Sequence, residues 1–118
     1  MRRLAFSLFF LSSIALANAP GYDLSLGAEV RGGTLKVAPV VSAPAGAKLR
    51  YDMTTTRTGR SGNSNSRQSG NVTVGDDGKA SLSQVAVNVS PQDRYVVHVE
   101  VYEGERVVAA KTLRHPKD

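Results

Sequence analysis

This chain of 118 residues has no cysteine and no tryptophan, and only 6% of its residues are aromatic. Without cysteine, thiol redox chemistry, thiolate catalysis, cysteine-based zinc sites and a disulfide framework are all excluded. A domain of this length can still bury one core unaided. Small extracellular domains usually carry bridges, so an exported chain without them fits a bacterial periplasm. The sparse aromatics also bear on partners. Tyr22, Tyr51, Tyr95 and Tyr102 form no grouping on which a base or a sugar could stack. Beyond residue 19 no hydrophobic run approaches the length needed to cross a bilayer.

Residues suited to catalysis are equally scarce. There are two histidines. His98 alternates with valines and should face away from them, and His115 lies in the tail His115-Pro116-Lys117-Asp118. Neither has an acidic or histidine neighbour at metal-ligand spacing. Asp76-Asp77 sits in a glycine-bracketed turn and lacks the repeated oxygen ligands of a calcium loop. Ser61-Gly62 lacks the glycine spacing and strand-to-helix context of a nucleophile elbow. Asn71-Val72-Thr73 and Asn88-Val89-Ser90 match the glycosylation triplet, which matters only in a eukaryotic secretory route. No catalytic residue, metal or cofactor is expected, and the chain does not read as an enzyme.

The N-terminus has Arg2 and Arg3, an apolar run from Leu4 to Leu11, a second apolar stretch through Leu16, and then small residues. That order is a secretory signal peptide's. The small-x-small rule permits cleavage after Ala17 or after Ala19. The second would place Pro20 just after the scissile bond, where its fixed geometry and missing N–H are unfavourable. The expected division is a signal peptide over 1–17 and a single mature domain over 18–118. Losing Arg2 and Arg3 leaves 13 basic against 10 acidic residues, a formal charge of +3 in place of +5. The isoelectric point near 9.9 therefore overstates the basicity. A mild positive charge suits steering toward an acidic partner and does not indicate nucleic acid. Neither nucleic acid nor, after cleavage, a membrane is an expected partner.

What the mature chain does have is a period of two. Leu24, Leu26 and Ala28 alternate with polar residues, as do Leu35 with Val37, Leu49 with Tyr51 and Met53, and Val72 with Val74. Val40 and Val41 continue the second of these after Pro39, which favours an edge or a bulge there. Leu82, then Val85, Val87 and Val89, form a strand with a register change near Ser83-Gln84. Val97, Val99 and Val101 form the strongest strand, and Val107 to Thr112 the last. Turn signals at Gly32-Gly33, Pro44-Ala45-Gly46, Gly75-Asp76-Asp77-Gly78 and Glu103-Gly104 punctuate about seven strands. The pattern predicts an all-β fold, an immunoglobulin-like antiparallel β-sandwich, with a small closed barrel as the alternative. Tyr95 at the start of the sixth strand is either a tyrosine corner, its hydroxyl bonded to the preceding backbone, or an ordinary half-buried strand residue.

One stretch does not fit a plain sandwich. Residues 58–70 read T-G-R-S-G-N-S-N-S-R-Q-S-G, polar throughout and set between two alternating segments. The sequence reads equally as a strand with a bulge or as a loop. With the preceding strand it supplies four arginines, Arg50, Arg57, Arg60 and Arg67, within 18 residues. Arg50 and Asp52 share the polar face of their strand. Arg57 has the parity of Tyr51 and Met53, so the alternation would have to relax for it to reach solvent. A solvated basic edge that blocks strand pairing and a basic binding surface both fit these residues.

The run Leu49-Arg50-Tyr51-Asp52-Met53, followed by residues 58–70, resembles the CsgH branch of the curli-assembly chaperones, related to CsgC. The likeness extends over most of the mature chain and rests chiefly on the R-S-G-N-S-x-S-R-Q-x-G pattern. It implies a periplasmic immunoglobulin-like protein that restrains the major curli subunit from forming amyloid before secretion. The CsgC branch carries a Cys-x-Cys pair that this chain lacks, so no redox role is carried over. On this reading the partner is the major curli amyloid subunit, met transiently by a monomeric chaperone. Arg50, Arg57, Arg60 and Arg67 would steer the encounter, and Asn63, Asn65 and Gln68 would supply hydrogen bonds. Two other classes remain. A structural or adhesive fimbrial subunit would polymerise or donate a strand, and a periplasmic small-ligand-binding sandwich would group aromatics or ligands.

Overall fold

The computed structural model describes residues 18–116 with the exception of residue 61. The signal-peptide reading of 1–17 lies outside the described residues. The strands are β1 (Asp23–Ser25), β2 (Glu29–Arg31), β3 (Thr34–Val37), β4 (Val40–Ser42), β5 (Lys48–Gly59), β6 (Gly62–Thr73), β7 (Lys79–Ser81), β8 (Val85–Asn88), β9 (Arg94–Glu103) and β10 (Arg106–His115). No described residue is helical.

One layer is a four-stranded antiparallel sheet in the order β10-β9-β5-β6. The other is made of two three-stranded sheets, β1-β4-β7 and β2-β3-β8. These are the two halves of three longer strands, each interrupted once, so that ten short elements amount to the seven strands expected. Pro39 explains the break in the middle strand, because it has no N–H for the ladder. The chain is carried across by Ala38 N–H donating to Leu26 O at 3.0 Å and Leu82 N–H donating to Pro39 O at 2.9 Å. Pro39 was expected at an edge or bulge; it lies in the central strand of its layer, where interruption of all three strands removes the conflict. Gly27, at φ 55°, permits this crossing: a Cβ there would stand 2.6 Å from Ala38 O.

The two layers enclose one core. Inward alternation places Leu49, Tyr51 and Met53 of β5 and Val97, Val99 and Val101 of β9 against Leu24, Leu35, Val37, Val41 and Leu82. Val97, Val99 and Val101 are fully buried, each contributing about 1.5–3 kcal/mol of apolar burial. A bulge opposite Val101 and Tyr102 turns both Val108 and Ala109 of β10 inward. The Tyr51 hydroxyl is hydrogen-bonded to the Ser83 hydroxyl, tying β5 to the gap between β7 and β8.

The corner before β9 is built differently from a tyrosine corner. Tyr95 is buried and stacks on His115, with ring centroids 4.9 Å apart. The corner's hydrogen bonds belong to Asp93, whose N–H donates to Ser90 O at 2.9 Å and whose carboxylate accepts from Ser90 N–H at 2.8 Å. Tyr95 is thus the strand residue of the two readings.

The polar run is ordered. β5 continues through Gly59, β6 starts at Gly62, and the two pair without a register break from Gly59↔Gly62 to Lys48↔Thr73. β6 is the last strand of its sheet. At the opposite edge, β10 is partly covered: Ala19 N–H donates to Val108 O at 2.9 Å and Ala110 N–H to Asn18 Oδ1 at 3.2 Å.

Candidate functional site

Alternation along β5 turns Tyr51, Met53, Thr55 and Arg57 toward the other layer and leaves Arg50, Asp52, Thr54, Thr56 and Thr58 on the outer face. Register then fixes their neighbours. Arg50 lies opposite Asn71, Asp52 opposite Ser69, Thr54 opposite Arg67, Thr56 opposite Asn65 and Thr58 opposite Asn63. On the other side of β5 the same rows continue through Tyr102, Glu100, His98, Val96 and Arg94 of β9, and through Thr112 and Arg114 of β10. The result is a four-strand-wide face of hydroxyl, amide and guanidinium groups.

Its centre is cross-linked by charge. Asp52 accepts a hydrogen bond from the Ser69 hydroxyl, lies 3.3 Å from Arg50 and lies 3.9 Å from Arg67. The Ser69 bond foremost, then the two guanidinium charges, hold the Asp52 carboxyl below its ordinary value against the opposing effect of burial. The Arg50 guanidinium also rests over the Tyr102 ring, 4.1 Å from its centroid. The Tyr102 hydroxyl donates to Glu100 Oε1 at 2.6 Å, which lowers the Glu100 pKa and raises that of Tyr102. His98 lies 3.2 Å from Glu100 and 2.6 Å from the Thr112 hydroxyl. The reading of His98 concerns metal-ligand spacing alone; as an ion-pair partner, Glu100 is placed beside it on the same face by the period of two.

Four of the seven residues singled out in the sequence, Arg50, Asn63, Asn65 and Arg67, meet on this outer face, and Arg60 stands in the turn at its end. Gln68 lies on the other side of the sheet, opposite Met53 and half-buried. Arg57 follows its parity inward, where its Nη1 lies 3.3 Å from the buried Asp93 carboxylate. Lys48, Arg94, His98, Arg114 and Thr54, Thr56 and Thr58 of β5 also belong to the face. Their signal in the sequence was parity: Arg94 and His98 oppose the buried valines of β9. Which strand lies beside β9 is a long-range fact that parity does not carry.

Fold and site together define a two-layer antiparallel sandwich with one polar, arginine-bearing sheet face. Residues 16–113 match the Tafi-CsgC family, described as thin aggregative fimbriae synthesis protein, and the chain belongs to that family. Its role therefore lies in the synthesis of thin aggregative fimbriae. The solution structure of CsgH from R. palustris is similar at a TM-score of 0.62 and 22% identity, over 78% of this chain and 90% of that one. The E. coli curli protein CsgC is similar at a TM-score of 0.65 and 21% identity, over 81% of this chain and 99% of that one. No curated protein matches the chain.

Proposed function

We propose that this chain is a periplasmic chaperone that delays premature amyloid polymerisation of the major curli subunit by transient non-covalent contact, acting as a monomer and without a cofactor. The observation that carries the reading is the outer face of the β10-β9-β5-β6 sheet. It presents Arg50, Arg67, Arg94 and Arg114 among threonine, serine and asparagine side chains. Amyloid growth stacks strands through backbone bonds and polar ladders, and such a face offers an early β-like subunit charge attraction and hydrogen bonds in one plane. Arg60 extends the positive field past the end of the sheet. The contact is exposed and solvated, which suits rapid exchange over tight capture.

The test is fibrillation of purified curli subunit with a substoichiometric amount of residues 18–118. The expected result is a lengthened lag, and an undiminished growth curve would reject the assignment. Replacing Arg60, Arg67, Arg94 and Arg114 with glutamine should shorten the lag again while leaving the fold unchanged. Arg57 is left out of that set because its partner is internal.

A further inference from the structure

We infer that the free edge of β6, together with the cleft beside it, is a docking site for one extended, amide- and hydroxyl-rich strand of a client protein. Taken as the mode of client contact, the inference rests on the chaperone reading; as a property of the edge it stands on the geometry alone. Val74 N–H donates to Ala47 O at 2.9 Å, which fixes the direction of the ladder. Alternation in an unbroken register then points the backbone groups of the even-numbered residues of β6 at β5. The N–H and C=O groups of Asn63, Asn65, Arg67, Ser69, Asn71 and Thr73 point the other way, where no strand pairs with them.

Long edges are normally blunted by proline, by lysines, by a bulge or by brevity. β6 has 12 residues, no proline, no bulge in its register and one charge, Arg67. The opposite edge is shielded by Asn18 and Ala19, and β6 has no such cover among the described residues. Beside it lies a cleft of about 350 Å³ between β6 and β8, lined by Ser64, Ser66, Arg57 and the β8 residues Val85 to Asn88. A strand added to β6 would project alternate side chains into that cleft. Arg57 Nε, buried at its wall, has no hydrogen-bond partner.

These features specify the occupant. On the outer face its side chains would lie beside Asn63, Asn65 and Asn71, where asparagine or glutamine continues an amide ladder. Opposite Arg67 a carboxylate fits, since that side chain is 71% exposed and its ion-pair partner is 3.9 Å away. Toward the cleft, small hydroxyl or aliphatic side chains fit between Ser64, Ser66 and Val87. A second copy of β6 fits less well, because antiparallel self-pairing brings the two Arg67 side chains together near the middle of the strand.

The probe is a synthetic peptide that alternates asparagine or glutamine with serine or alanine and carries one central aspartate, added to ¹⁵N-labelled residues 18–118. Amide exchange should slow by at least about threefold at Asn63, Asn65, Arg67, Ser69 and Asn71 and stay unchanged at Ser64, Ser66 and Gln68. Protection confined to β9 or β10, or protection that grows with chain concentration alone, would overturn the inference, the latter in favour of self-pairing. Asn65→Pro removes an outward N–H and should abolish the effect, whereas Asn65→Ala, which keeps that N–H and loses only the side-chain amide, should weaken it without abolishing it. Should the proline variant lose its fold, a peptide N-methylated on its edge-facing amides is the second arm, and undiminished binding of that peptide rejects edge pairing. In the fibrillation assay the two readings separate. A wild-type chain that leaves the lag unchanged sinks the chaperone reading, and a folded Asn65→Pro chain as active as wild type sinks only the edge.

Discussion

At the scale of single residues, much of the polar run serves the fold. Asp93 is 4% exposed at its side chain and is held between the Arg57 guanidinium, 3.3 Å away, and the Ser90 N–H, which donates to its carboxylate at 2.8 Å. Gly59 makes room for it: a Cβ at that position would stand 2.0 Å from Asp93 Oδ1. Removing the guanidinium leaves a buried carboxylate half-partnered, so Arg57→Gln should cost about 2–4 kcal/mol in chemical denaturation. Gly59→Ala displaces the same carboxylate, and the double variant should lose less than the sum of the singles. An unchanged denaturation midpoint in Arg57→Gln would show that the pair contributes nothing. Gly70 has a parallel duty opposite Tyr51, where a Cβ would stand 2.8 Å from the hydroxyl and 3.1 Å from the ring. Gly70→Ala should destabilise by about 1–3 kcal/mol through overpacking. The glycines of the motif could be seen in the sequence, but their reason could not, because Asp93 is brought to Gly59 only by the pairing of β9 with β5. The odd parity of Arg57 was legible; its partner was not.

At the scale of elements, the β5–β6 hairpin shows where pattern reading stops. Asparagine, glycine and serine are poor strand formers, and β6 has no apolar alternation before Val72. Its conformation comes from β5, whose threonines and core residues supply a template along its whole length. Proline substitution reads this out residue by residue. Ser66→Pro removes an N–H directed at β5 and should destabilise by about 1–3 kcal/mol more than Asn65→Pro, whose N–H bonds to nothing in the sheet. Equal thermal midpoints for the two would contradict the ladder direction. The outer face of the same elements also sets an acid dependence. Asp52 and Glu100 titrate below their ordinary values in the fold, so each contributes stability that is complete above the ordinary carboxylate range near pH 4. That contribution disappears as pH falls through the lowered values. A melting series from neutral to strongly acidic pH should therefore fall more gently for Asp52→Asn than for wild type, and parallel curves would mean that the Ser69 and arginine contacts do not persist in solution.

At the scale of the whole molecule, the two-layer architecture was readable because hydrophobic period two and glycine turns are local properties. Strand order, and therefore which charges become neighbours, was not. That order gathers Arg94 and Arg114, 20 residues apart, with Arg67 and the turn residue Arg60 toward one end of the polar face, while Asp52 and Glu100 sit nearer its middle. A field built from exposed charges reaches only about 10 Å at 0.1 M salt and about 3 Å at 1 M. If encounter with a client is steered by this field, the association rate falls with ionic strength and short-range hydrogen bonding at the β6 edge is less affected. The amount of chain needed to double the fibrillation lag should accordingly rise with salt for wild type, and much less for the variant in which Arg60, Arg67, Arg94 and Arg114 are glutamine. Asn65→Pro should weaken the delay at every salt concentration while keeping the wild-type slope. Were the salt slopes of wild type and the glutamine variant the same, steering would have to arise elsewhere on the molecule, and the arginine-bearing face would lose its part in recognition.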